Sequence, residues 1–454
     1  MSLIVGYADY INSSIIFRLV ILLSIGLFFG IVLGITILLT INPRGVFILF
    51  LGGLILFYMP FQQGLLFTMD GVKVYPGDLV LASLFIVLFL KFYLEGFGNL
   101  FAQKSTKIFL LFFIWGNVAI IRGIQNYGHS AVGEARWYIL LMIYYFFVIT
   151  MFKNRQGIRY LINWVIMFIV IMFFSRFFEF FFFGGNEERI SQAAFRFLNS
   201  AEALLLSFLL VSLYLFFISG GIRRNNFLVI IILFILFTSL ILAQVRSVWL
   251  ATAGGLIAVL VVLQKALIRS IVAVSMGFLF FALTASLVGN FIGEDVYTTV
   301  ESSAIFLKDP REDPTGSWRL IGWMQNLEAA MKQPVWGEGL GRYSEWFDGH
   351  KWQRVAVHNG YIMHFLKFGL IGLFLLFTGL FYWYAEMRRY VQVECDRYYK
   401  FMGYAIQICV FMNLIYVFFY SITILFWVLM AVGTVLVRQS KVNLIRQVSI
   451  TPGK

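Results

Sequence analysis

The stretch VHNGYIMHFLKFGLIGLF, residues 357–374, places a histidine and an asparagine directly before an apolar run that carries glycines at 369 and 372. A helix N-terminus disfavours a charged imidazole. A histidine there, with an ordinary pKa of roughly 6.5, suits removal of a hydroxyl proton at neutral pH. His358 can equally be an interfacial histidine that hydrogen-bonds locally. Arg246 lies in LILAQVRSVWLATAGG, between two apolar runs that form an outward-facing hairpin. There it runs against the inward bias of Lys and Arg. Two readings fit it, a snorkelled turn residue and a guanidinium whose planar fork of donors matches phosphate oxygens. Arg319 stands in the first turn of a predicted loop helix, about 100° round from its apolar stripe, where it can point into a cleft. Arg136 in GEARWY and Arg189 in NEERIS also face outward, each with a glutamate near enough for a structural ion pair. Arg176 and Glu179 stand three residues apart inside an apolar run, as a self-satisfied pair or as a functional one.

Other chemistries lack their residues. The chain has no D-x-D, H-E-x-x-H or G-x-S-x-G motif and only two cysteines, Cys395 and Cys409. No metal site, cofactor or Ser-His-Asp hydrolase is therefore expected. The net charge of +13 is not gathered into basic runs with interleaved aromatics, so no nucleic-acid partner is expected. The bases fall in short loops between apolar runs, where they report topology and contact with membrane lipids.

The elements that must position these residues are membrane helices. Of 454 residues, 61% are hydrophobic and 13% charged, and apolar runs of about 20 residues recur almost end to end. The expected fold is an all-α polytopic membrane protein with 12–14 transmembrane helices and one long outer loop that contains short helices. Spans are expected near 15–41, 46–60, 79–94, 108–121, 137–152, 160–183, 193–218, 225–244, 247–263, 268–289, 360–384, 401–419 and 421–437. Basic residues cluster around 91–107, 153–159, 223–224, 265–269 and 388–400 and from 438 onward, at every second connection, which marks a cytoplasmic side. The N-terminus is then outside, and its first apolar segment, which lacks a basic leader and cleavage site, is expected to be retained. The long connection near residues 290–357 faces outward and is too long for a turn. The expected division is an N-terminal transmembrane bundle (1–289), an outer, periplasmic loop subdomain (290–357), and C-terminal helices with a cytoplasmic tail (358–454), integrated as one membrane domain. Within the loop, TGSWRLIGWMQNLEAAMKQP reads as a helix capped by Ser317, with an apolar stripe of Leu320, Trp323, Met324, Leu327 and Met331, lying along the membrane surface. At 100° per residue, His358, Gly369 and Gly372 fall within about 20° and 40° of one another, so one face carries a histidine above a close helix contact.

Three blocks, in order, resemble the O-antigen ligase and O-antigen polymerase superfamily of bacterial inner-membrane glycosyltransferases. They are QVRSVWLATAGGLIAVLV, GSWRLIGWMQNLEAAMKQPVWGEGLGRY, and HNGYIMHFLKFGLIG, whose pattern is His-Asn, nine residues, Gly-x-x-Gly. VKVYPGDLVLASLFIV and RISQAAFRFLNSAEALLL are weaker echoes. QVRS departs from the Ser-Arg-Gly found in many members. The resemblance implies a donor glycan linked by pyrophosphate to undecaprenol and presented at the periplasmic face of the inner membrane. It implies catalytic roles for Arg246, Arg319 and His358, and an acceptor that is lipid A core or another lipid-linked glycan. Asn359, Tyr361, Arg136 and Arg189 join Arg246 and Arg319 as candidate substrate-binding residues, with Gly369 and Gly372 as packing positions. The expected reaction is metal-independent and inverting. Ligation to lipid A core is favoured over O-antigen or exopolysaccharide repeat polymerisation and over protein O-glycosylation. A lipid-glycan transporter is the rival class, and neither internal repeats nor paired Pro-broken helices support it.

Overall fold

In hydrocarbon there is no water to bond, so an apolar run is stable as a helix that closes its own backbone hydrogen bonds. The computed structural model of the chain describes residues 30–56, 67–69, 72–96, 100–182, 198–219, 227–243, 245–263, 314–347, 352–355 and 358–450. Among them seven helices are long and apolar enough to cross a membrane, and five more apolar helices are shorter. The chain is an all-α polytopic membrane protein, as its hydropathy predicts. The expected span at 268–289 lies outside the described residues, as does the part of the first span before residue 30.

In chain order the elements are α1 (Gly30–Ile41), α2 (Pro43–Leu56), a hairpin of β1 (Phe67–Met69) and β2 (Val72–Val74), and α3 (Pro76–Glu95). Then follow α4 (Lys104–Tyr127), α5 (His129–Met151), α6 (Arg155–Phe182), α7 (Ser200–Ile218), α8 (Phe227–Leu242) and α9 (Arg246–Val262). The chain resumes with α10 (Pro314–Lys332), a hairpin of β3 (Ser344–Phe347) and β4 (Trp352–Val355), α11 (Gly360–Val393), α12 (Arg397–Val417) and α13 (Ile424–Ile450). These form two compact units, residues 1–97 and 98–454. In the first, Ser83 Oγ of α3 reaches both Leu79 O at 2.8 Å and Val32 O of α1 at 3.3 Å.

The second unit has an aromatic core. Phe109, Phe112 and Phe113 of α4, Tyr145 of α5 and Trp427 of α13 are fully buried. Trp427 stacks on Phe112 at 6.1 Å and meets Phe109 edge-on at 5.4 Å, geometries worth about 0.5–1.5 kcal/mol each beyond burial. Two of the buried ring donors find carbonyls: Tyr138 Oη donates to Phe112 O at 2.9 Å and Trp383 Nε1 to Met430 O at 2.9 Å. Beside this core α7, α9 and α12 pack together. Gly254 and Gly255 of α9 make room for Ile415 and Met412 of α12, and Ser207 of α7 bonds Thr252 of α9 at 2.6 Å.

The basic loops converge on one end of this unit. Arg155 pairs with Glu394 at 2.6 Å and lies over the Tyr399 ring, Arg159 lies over Tyr398, and Arg438 donates to Ile149 O at 2.7 Å. Arg397 donates to Ser219 O, and Gln439 to Lys153 O. Glu386, near the C-terminal end of α11, accepts from Lys104 N and Ser105 Oγ at the start of α4. The basic clusters near 104, 153–159, 388–400 and 438 are thus gathered together, while those at 223–224 and 265–269 lie outside the described residues.

At the other end α11 is broken. Gly369 has φ 65° and ψ −168°, so the helix comprises a short half before it and a long half after it. Five of the freed backbone groups are bonded from elsewhere. Glu338 N donates to Leu366 O at 2.7 Å, Gly339 N to Lys367 O at 3.1 Å, and Trp115 Nε1 to Phe368 O at 2.8 Å. Leu370 N and Ile371 N donate to Pro334 O and Val335 O at 2.8 and 3.4 Å. Two glycines face each other across this seam: a Cβ on Gly369 would lie 2.3 Å from Val335 O, and one on Gly337, at φ 74°, 2.6 Å from Lys367 O. Tyr361 and Phe377 would stand about 24 Å apart along a continuous helix, yet their rings stack at 5.8 Å. The short half is folded back along the long one. The single-face arithmetic for His358, Gly369 and Gly372 requires a continuous helix and does not hold. Gly369 meets the backbone of the Gly-rich bend, and Gly372 fits beneath Phe368 and beside Trp115 of α4.

Candidate site at the mouth of the broken helix

Loop helix α10 begins at Pro314, so Ser317 lies within its first turn and does not cap it. Proline suits that first position, where its missing N–H would be unpaired in any residue. The small face of α10 packs inward, with Ala329 and Ala330 against Leu366 and Phe365 of the short half-helix. Of the predicted apolar stripe, Met324, Leu327 and Met331 stay exposed, while Trp323 turns in and donates from Nε1 to His358 O at 3.3 Å. Asn359 then caps the short half-helix, its side chain accepting from Tyr361 N and Ile362 N at 3.0 and 3.1 Å. Tyr361 Oη donates to Leu414 O of α12 at 2.8 Å.

His358 has φ 40°, and it is the positive-φ non-glycine among the described residues. Left-handed backbone is costly for a residue with a Cβ and tends to persist where the surroundings over-determine it, often at functional sites. Its ring lies perpendicular to that of Tyr420, centroids 6.0 Å apart. Arg319 places its guanidinium over the same Tyr420 ring at 6.0 Å. Tyr420 stacks on Tyr416 at 4.8 Å and 13°, and Tyr416 Oη bonds Ser200 Oγ of α7 at 3.1 Å. Partial burial, aided by the Arg319 charge, holds the His358 imidazole below its ordinary pKa. Both effects favour the neutral, basic form of the ring.

Arg246 is the first residue of α9. The short turn after α8 makes α9 run parallel to α7, and Ser207–Thr252 fixes their register, so Arg246 stands about level with the first turn of α7. That is the turn whose Ser200 holds Tyr416. Arg319 and His358 are therefore joined directly through Tyr420, and Arg246 opens its helix at the same end.

Residues 231–377 match the O-antigen ligase family. This match supports the O-antigen ligase and polymerase superfamily for the chain and contains all three sequence blocks, with Arg246, Arg319 and His358 among them. It supports a function of O-antigen ligase or polymerase type in general. No curated protein matches the chain.

Several other charges have structural partners. Glu134 Oε1 pairs with buried Lys367 Nζ at 2.5 Å, and its other oxygen accepts Gly341 N at 2.7 Å. Arg136 is half-buried two residues further along α5, and Arg189 lies outside the described residues. Arg176 bonds Glu179 at 2.6 Å and also Glu202 at 2.8 Å, so the pair read from sequence is a trio. Glu202 in turn closes a capping box with Asn199 at the start of α7. Tyr420, Glu202 and Lys367 are the members that sequence reasoning missed. Lys367 carried a readable signal, since a charge within an apolar run calls for a partner.

Proposed function

We propose that the protein transfers a glycan from undecaprenyl pyrophosphate to an acceptor hydroxyl at the outer face of the bacterial inner membrane, with lipid A core as the acceptor. The observation that carries the reading is that Arg319 and His358, both within the segment that matches the O-antigen ligase family, meet on the ring of Tyr420 beyond it. In this reading the acceptor hydroxyl gives its proton to the neutral imidazole of His358 as its oxygen bonds to the anomeric carbon. The bond from that carbon to the pyrophosphate oxygen breaks on the opposite face, and the leaving group departs with the electron pair. Arg319, with Arg246, stabilises the charge that grows there through bidentate charge-assisted hydrogen bonds, without a metal. Attack opposite the leaving group inverts the anomeric configuration; a product that retains it would contradict this step. Asn359, Tyr361, Arg136 and Arg189 complete the proposed substrate-binding set.

The lipopolysaccharide band pattern of a deletion strain tests the acceptor. Bare core with accumulating lipid-linked polymer is expected. Core bearing a single repeat would instead assign repeat polymerisation, and an unchanged ladder would reject both.

A further inference from the structure

Tyr420 lies in the turn between α12 and α13, a position with no motif around it, yet three residues meet on its ring. Tyr416 covers it in a parallel stack at 4.8 Å, Arg319 lies over it at 6.0 Å, and the His358 ring stands perpendicular at 6.0 Å. The turn is held firmly. Tyr420 N donates to Tyr416 O at 3.1 Å, and Gly360 packs so tightly that a Cβ there would lie 2.7 Å from Tyr420 O. The stack is anchored behind as well, because Tyr416 is buried and bonded to Ser200, in the turn of α7 whose capping box Arg176 holds through Glu202.

A guanidinium on a long, flexible side chain loses much freedom when it is fixed, and an aromatic face is a surface that fixes it while leaving its N–H donors available in the ring plane. We infer that Tyr420 is a positioning residue for the transfer: its ring fixes Arg319 and His358 relative to one another, so that the leaving-group clamp and the base keep a set separation. The inference rests on the proposed transfer reaction. Tyr420 stands against the His358 ring, and in the half-helix that follows, His364 Nδ1 is engaged by Gly360 O at 2.6 Å. Arg319 is the group whose charge acts on His358, so a loosened Arg319 changes both the clamp and the base.

The test uses the full chain in proteoliposomes with undecaprenyl-pyrophosphate glycan and a core acceptor, and compares Tyr420→Phe, Tyr420→Leu and Tyr420→Ala. The phenylalanine variant keeps the ring and is expected within about twofold of wild type. The leucine and alanine variants are expected to lose about 100-fold in kcat, the scale of an ångström's misplacement. Their acceptor KM should change little, and the acid limb of their rate profile should move up toward the ordinary imidazole range. Leucine fills space without a ring face. If it matches phenylalanine, with an unmoved acid limb, the inference is overturned. It is also overturned if neither leucine nor alanine variant accumulates as folded protein, since the ring is then scaffolding. His358→Ala is run alongside: full turnover there removes the transfer reading itself, whereas its loss beside normal Tyr420→Leu activity removes only the role of Tyr420.

Discussion

The two ends of the larger unit are fastened by different means. At the end where the basic loops meet, long side chains reach across: Arg155 to Glu394, Arg438 to Ile149 O, Arg397 to Ser219 O. At the end that holds His358, backbone bonds backbone, glycine faces glycine, and the Lys367–Glu134 pair is 8% and 18% exposed. Long arms tolerate small shifts of what they join. A seam of backbone hydrogen bonds closed by glycines in contact accepts one geometry. The end that carries the candidate chemistry is thus joined largely through main chain, with Arg122 also reaching across to Trp336 O.

The contrast breaks most visibly at Gly369. Gly369→Ala puts a Cβ against Val335 O and strains a backbone at φ 65°, so a loss of about 4 kcal/mol or more is expected. It would read as a collapse in the yield of monodisperse protein, and a wild-type yield and melting temperature would refute the seam. Glu134→Gln comes next. It leaves the Lys367 charge buried and unpaired, at a cost of about 3–5 kcal/mol, and the double variant with Lys367→Met should recover a good part of this. Equal melting temperatures for single and double variants would show that the pair is not coupled. Asn359→Ala removes the cap of the short half-helix and should cost about 1 kcal/mol, with a larger effect on turnover than on melting. The smallest effect is expected at the opposite end. Arg397→Ala, which loses an exposed bond to Ser219 O, should cost about 1 kcal/mol or less and leave turnover unchanged; a loss matching Glu134→Gln would erase the distinction between the ends.

Much of the fold was legible because its signals are local. Apolar runs mark α3 to α9 and α11 to α13, and the basic residues around 104, 155, 397 and 438 mark the end where they gather. The loop helix was legible as a helix, although Pro314 and not Ser317 starts it. The charged members of the candidate site, His358 and Arg319, stood out as polar residues beside apolar runs. The break at Gly369 did not. A helix can stop there only because Glu338, Gly339, Pro334 and Val335, some thirty residues earlier, bond its freed groups, and no local pattern encodes that. Tyr420 was hidden for another reason. Among 22 tyrosines, the one on which an arginine and a histidine meet has no distinguishing neighbours.

The central claim is that His358 is the base of a glycan transfer, made ready by burial and by Arg319. Turnover of reconstituted protein, measured from pH 5 to 8 for wild type and His358→Ala, tests it most directly. The account predicts that the wild-type rate holds as pH falls through about 6.5 and declines only below it, because the depressed basicity of His358 delays protonation. His358→Ala should lose roughly 100- to 10,000-fold at unchanged melting temperature. Wild-type turnover in His358→Ala, or an acid limb above the ordinary histidine range in the wild type, would contradict it.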